Sequence, residues 1–181
     1  MSHTVQGYTL RKPEPGDVDA LYAQKNDPEV ASLLGGLPQY AQADIKQWVE
    51  FHRAQKDESL WIIADRDGRA VGHVGLYKID PRVRSAEFAI VIGEKKLWGT
   101  GLGRDCTEWM LRFGFEQLNL QRIELQVQDR NQRARRLYQR LGFKDEGVRR
   151  RAQYKDGGYL DMVLMALLDD EWAGAAARKA P

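Results

Sequence analysis

The chain has 181 residues, enough for one domain with a substantial core, and its 28 basic and 26 acidic side chains leave a formal charge of +2, too balanced to single out nucleic acid or a membrane surface as partner. Cys106 is the only cysteine, which excludes an internal disulfide framework and a multi-cysteine metal site and suits a reducing compartment. No apolar run approaches the ~18 residues of a membrane span, and the first residues lack the charged-then-apolar pattern of a signal peptide, so the expectation is a soluble, cytoplasmic protein.

Tyr8 to Arg11 alternates as a short strand, and Pro13-Glu14-Pro15-Gly16 ends it before the helical spacing of Val18, Leu21, Tyr22 and Lys25. After Asp27-Pro28 a short second helix runs toward Leu34 and stops at Gly35-Gly36 and Pro38. Between Ala41 and Lys56, Ile45, Trp48, Val49 and His52 share one helical face. Leu60 to Ala64, the turn Asp65 to Arg69, and Ala70 to Tyr77 read as a hairpin, and Ser85 to Gly93 follows as a third strand, apolar enough in its second half to be central.

A glycine loop comes directly after that strand, in Lys96-Leu97-Trp98-Gly99-Thr100-Gly101-Leu102-Gly103-Arg104. Glycines allow close backbone approach, and the first amides of a following helix lack partners inside it, so the stretch reads as a phosphate cradle. The helix it opens spans roughly 101 to 118, with Cys106, Trp109, Met110, Phe113 and Gln117 on one stripe. Arg122 to Gln128 alternates with Ile123, Leu125 and Val127 on one face; a strand, a crossover helix and a strand imply parallel pairing. Asp129-Arg130-Asn131 offers caps for a helix carrying Ala134, Leu137, Tyr138 and Leu141, which Gly142 ends. Glu146 to Tyr154 and Tyr159 to Leu168 form a closing hairpin, and the Ala/Arg/Lys tail 173–181 is expected to fray.

The glycine loop and the later block Asn131-Gln132-Arg133-Ala134-Arg135-Arg136-Leu137-Tyr138-Gln139-Arg140-Leu141-Gly142-Phe143 resemble the two signature motifs of the GNAT superfamily of acetyl-CoA-dependent N-acetyltransferases. Within it the chain is similar to the branch holding ribosomal-protein alanine acetyltransferases and spermidine acetyltransferases, through Ala86-Glu87-Phe88, Phe113-Gly114-Phe115, Asn119-Leu120 and Asp156 to Asp161. Trp98 stands where the family loop commonly has Gln or Arg; a cradle that works through backbone amides loses no donor by it.

The resemblance implies an α/β (α+β) fold of one domain over 1–172: a mixed, mostly antiparallel sheet of six to seven strands flanked by helices, splayed between two central parallel strands, Ala86 to Ile92 and Ile123 to Gln128. It implies that acetyl-CoA is bound by the amides of Leu97, Trp98, Gly99, Thr100, Gly101, Leu102, Gly103 and Arg104, with the Arg104 cation added. The backbone of Val91 and Ile92 then pairs with the pantetheine arm and Asn131 reaches the arm from the other side; one of Arg133, Arg135 and Arg136 reaches the 3′-phosphate. Glu87, directly or through a water, strips the amine's proton, and Tyr138 serves the leaving thiolate, its phenol lying close to the thiol's pKa of ~8.5. Transfer is direct, without an acyl-enzyme, and Cys106 is a small core residue.

The acceptor that follows is a primary amine, with a polyamine or a protein amino terminus favoured over amino sugars and aminoglycosides. Asp27, Glu29, Asp80, Asp156 and Asp161 read either as a cation-attracting mouth or as ordinary turn acids. A non-catalytic acyl-CoA-binding regulator on the same fold is the competing class. Gly99-x-Gly101-x-Gly103 lacks the spacing of a dinucleotide fingerprint. His3, His52 and His73 have no partners at ligand spacing, so no metal is expected; neither nucleic acid nor membrane is a partner, and a homodimer is expected from family habit.

Overall fold

The computed structural model describes residues 2–35, 39–155 and 157–172. Its strands are β1 (His3–Val5), β2 (Tyr8–Arg11), β3 (Ser59–Ala64), β4 (Ala70–Asp80), β5 (Ser85–Ile92), β6 (Arg122–Gln128), β7 (Lys144–Lys155) and β8 (Gly158–Leu168). Its helices are α1 (Val18–Asn26), α2 (Pro28–Ser32), α3 (Gln42–Ala54), α4 (Leu102–Arg112) and α5 (Gln132–Arg140). The strands follow the order β1-β2-β3-β4-β5-β6-β8-β7, with β5 and β6 parallel and the other recorded pairs antiparallel.

Eight strands, rather than six to seven, result because β1 pairs with β2 through Gln6 and Gly7, at φ 49° and 81°. Two successive positive φ values make the tight hairpin turn that matches strand twist. Three residues, two of them exposed, carry too little pattern to be read as a strand. The helix expected over 101 to 118 is also two pieces: α4 ends at Arg112, and a π-helical turn covers Phe113–Gln117, closed by Leu118 N–H donating to the Phe113 carbonyl at 3.1 Å. Gln117, expected on the buried stripe, is exposed. The tail 173–181 and Asp156 lie outside the described residues.

The chain divides into two compact units. The first comprises residues up to Tyr77 together with Ala89–Met110. Its core packs Leu21 of α1 and Ile45 and Val49 of α3 against Ile62, Ala64 and Ala70 of β3 and β4. Burying each of the leucine, isoleucine and valine side chains contributes about 1.5–3 kcal/mol. Gly72 in β4 faces the Val91 carbonyl so closely that a Cβ there would collide with it. The second unit comprises Lys78–Phe88 and the residues from Leu111 on. Here the alternation of β6 meets that of β8: Ile123 opposes Leu167, Leu125 opposes Met165 and Val127 opposes Val163, all six buried. The parallel ladder sets Ser85, Ala86 and Glu87 beside Arg122, Ile123 and Glu124.

Candidate active site

In the first unit β5 leads into the cradle. The amides of Gly93 and Glu94 donate to the Val71 carbonyl at 2.9 and 3.2 Å, which hangs the turn on β4. Gln24 of α1, whose amide donates to the Ala70 carbonyl at 2.7 Å, packs on Gly93 where any Cβ would clash. A single 3-10 turn, Lys95–Leu97, precedes Trp98, and then Gly99 and Gly101 take φ of 83° and 94°. Only glycine enters that region without strain. Gly103 differs: it has no positive φ, and a Cβ there would meet Ile92 at an ordinary 3.8 Å.

Since α4 begins at Leu102, the amides of Leu102, Gly103 and Arg104 have no acceptor inside the helix, and the first turn closes with Asp105 N–H on the Gly101 carbonyl at 3.0 Å. The Thr100 hydroxyl is 3.4 Å from the Leu102 amide and donates to the Leu97 carbonyl at 2.8 Å. The Leu102 amide thus donates to the Thr100 oxygen, and those of Gly103 and Arg104 are left as donors at a positive dipole end. Arg104, expected to add a free cation, is paired with Asp105 at 2.7 Å. Burial works to raise the Asp105 carboxyl, but hydrogen bonds from Arg104 and Gln6 outweigh it and hold the group below the usual carboxylate range.

Backbone groups alternate sides along a strand. The Val91 carbonyl is directed at Gly72 of β4, whereas the Ile92 carbonyl accepts the Trp98 indole N–H at 2.7 Å. Trp98 is therefore more than a tolerated departure from the family loop. It ties the end of β5 to the cradle. Ile90, Val91 and Ile92 are half-buried and Ala89 is exposed, so the apolar second half of β5 is less covered than a central strand usually is.

In the second unit, Asn131 caps α5: its side-chain oxygen accepts from Ala134 N–H at 3.2 Å, a bond that does not use its amide NH2. Tyr138 lies one turn before the helix ends at Gly142, which takes φ 100°, and its carbonyl accepts from Leu141 and Phe143. The Tyr138 ring is 8 % exposed and stands edge-on to Phe88, with centroids 6.1 Å apart, and tilted against Phe143. Burial pushes its phenol up to about 12. Adjacent strand residues point to opposite faces. Glu87 therefore leaves β5 on the face away from Phe88 and Tyr138, where it accepts from Lys78 at 2.7 Å.

Lys78 escaped the reading of the sequence: the turn after Asp80 closes with Arg84 N–H on the Asp80 carbonyl, and the returning strand brings Glu87 within 2.7 Å of the Lys78 ammonium. The acids weighed as a cation mouth have local roles. Asp27 caps α2 and shares Lys95 with Glu29, Asp80 caps its own turn, and Asp161 accepts from the Arg151 amide; Asp156 is outside the described residues. Cys106 is buried, and its thiol is pushed up to about 12 by that burial and by Asp105. Trp61 packs against Trp109, and Trp172 against Phe115. Among the described residues no cluster of three or more His, Cys, Asp or Glu offers a metal site, and no helix is long and apolar enough to cross a membrane.

A strand that runs through a glycine turn into a helix N-terminus, followed by a parallel strand and a capped helix bearing a buried tyrosine, is the arrangement of an acyl-CoA transferase. The chain belongs to the acetyltransferase (GNAT) domain family, which residues 8–144 match. It is 31 % identical over 173 residues to an uncharacterized N-acetyltransferase, p20, of Bacillus licheniformis, spanning 92 % of this chain and 95 % of the relative. It is 29 % identical over 164 residues to the spermidine N(1)-acetyltransferase of Vibrio cholerae, spanning 91 % and 94 %. The crystal structure of spermidine N-acetyltransferase from Vibrio cholerae in complex with CoA and spermine superposes with a TM-score of 0.84 at 28 % identity, covering 92 % of this chain and 98 % of that one. The protein is an acetyl-CoA-dependent N-acetyltransferase, and the reading as a non-catalytic regulator gives way to it.

Proposed function

We propose that the enzyme acetylates the primary amine of a small polyamine, or of a protein amino terminus, by direct attack on acetyl-CoA in a ternary complex. The observation that carries the polyamine reading is the end-to-end likeness to spermidine acetyltransferases, over nine-tenths of both chains. The pyrophosphate rests on the helix-start amides of Leu102, Gly103 and Arg104, the first of them exchanging the Thr100 oxygen for phosphate, and on the loop from Leu97 through Gly101, with Arg104 exchanging Asp105 for phosphate. The outward backbone of Ile92 is better turned toward the pantetheine amides than that of Val91, and the Asn131 amide donates to the arm.

An alkyl amine of pKa ~10 is neutral about one time in a thousand at pH 7, so the reaction profits from a group that removes its proton. Glu87 takes that role, directly or through a water. Tyr138 serves the sulfur. With its phenol at about 12, complete proton transfer to a thiolate of pKa ~8.5 is uphill, so Tyr138 stabilises the departing charge by donating a hydrogen bond.

The test is release of free thiol from acetyl-CoA with spermidine, spermine, peptides with free amino termini, amino sugars and aminoglycosides. The highest kcat/KM is expected with a polyamine. Turnover confined to sugars or aminoglycosides would overturn the acceptor assignment.

A further inference from the structure

Five charged side chains form a row on the Glu87 face of the second unit. Lys78 of β4 bonds Glu87 of β5 at 2.7 Å. Glu87 and Glu124 are register partners in the parallel ladder, so their side chains emerge next to each other on the same face. Arg122 holds Glu124 at 2.8 Å and reaches Glu146 with both of its terminal nitrogens, at 2.8 and 2.5 Å. Three carboxylates thus face two cations, and one negative charge is in excess.

The two cations are held very differently. The Arg122 side chain is 30 % exposed, is fixed by hydrogen bonds to two carboxylates, and has its guanidinium raised further above its ordinary value, chiefly by Glu146. Bidentate guanidinium pairs of that kind do not exchange readily. The Lys78 side chain is 74 % exposed and makes one contact to one oxygen of Glu87. It is also chemically what an acceptor presents: a primary ammonium at the end of an unbranched alkyl chain.

We infer that Lys78 is an internal stand-in for the acceptor, seated on Glu87 until the substrate's ammonium displaces it, and that Glu124 beside it favours acceptors carrying a second positive charge. The inference rests on Glu87 receiving the acceptor amine. Lys78 is therefore a competitor that sets the acceptor KM, and its strength is bounded by what an exposed ion pair holds, about two- to fivefold in an equilibrium.

The experiment is steady-state kinetics with spermidine for Lys78→Met, Lys78→Arg, Glu87→Gln and the double variant Lys78→Met/Glu87→Gln. Lys78→Met lowers the spermidine KM about two- to fivefold while kcat and the acetyl-CoA KM stay as they are, and Lys78→Arg, which keeps the contact, does not lower it. In the Glu87→Gln background Lys78→Met has no effect on KM. An unchanged or raised KM in Lys78→Met, with Glu87→Gln impaired, overturns the role of Lys78 and leaves that of Glu87 standing. A Glu87→Gln enzyme with wild-type kinetics overturns the assignment of Glu87 itself.

Discussion

Burial of the Tyr138 phenol changes what that side chain can do for a leaving thiolate. At about 12 it stays protonated through the working pH range, so it acts as a fixed donor rather than a titrating acid. Tyr138→Phe is expected to lower kcat about a hundredfold, with the acetyl-CoA KM little changed, and the wild-type rate should show no alkaline loss from this group up to pH ~10; single-turnover thiol release checks both. The glycines separate conformation from ligand contact. Gly101→Ala forces a side chain to φ 94° and should destabilise the fold by roughly 1–2 kcal/mol. Gly103→Val meets only ordinary contact at its Cβ and so is expected to leave most of the stability intact while abolishing coenzyme A binding, as calorimetry would show; unaltered affinity would remove the α4 amides from the site. The turn glycines Gly99 and Gly101 and the place of Tyr138 on a helix ended by Gly142 were legible in the sequence because their motifs are local. Lys78 and the Trp98 bond to Ile92 were not, because each depends on where a turn delivers a side chain.

Helices and strands follow from periodicity where a pattern is long enough to be averaged. The buried alternation of Ile123, Leu125 and Val127 identified β6, and Asn131 and Gly142 marked both ends of α5. β1 was too short for that, and the π-turn after α4 depends on Leu118 N–H reaching the Phe113 carbonyl five residues back rather than a partner four back, which side-chain periodicity does not encode. One strand also carries a pH response. His73 in β4 is fully buried, and burial first, then the charges of Lys25 and His52, drive its imidazole down to about 3. The unfolded chain, with its histidine near 6.5, binds that proton earlier than the folded one, so this contribution is intact above pH ~6.5 and is lost progressively toward pH 3. Urea midpoints of wild type should fall between pH 7 and 4, and those of His73→Gln should fall less.

At the scale of the molecule, fold and family were readable because two motifs in a fixed order of elements leave few alternatives; the acceptor was not, because among the described residues the acids weighed as its determinants serve local caps, ion pairs and backbone bonds. Binding of the acetyl donor should be visible globally. Ligand at a hundred times its Kd stabilises the folded state by about 2.7 kcal/mol, so coenzyme A alone should raise the melting temperature of wild type and not of Gly103→Val. The Trp98 indole, bonded to the last carbonyl of β5, adds an optical consequence. A ligand that recruits this carbonyl must alter the surroundings of one indole out of five, so on the proposed donor site the chain carries a chromophore at its mouth. The emission change on adding coenzyme A should shrink in Trp98→Phe, which makes docking of the acetyl donor something that can be watched in real time, without label and without turnover.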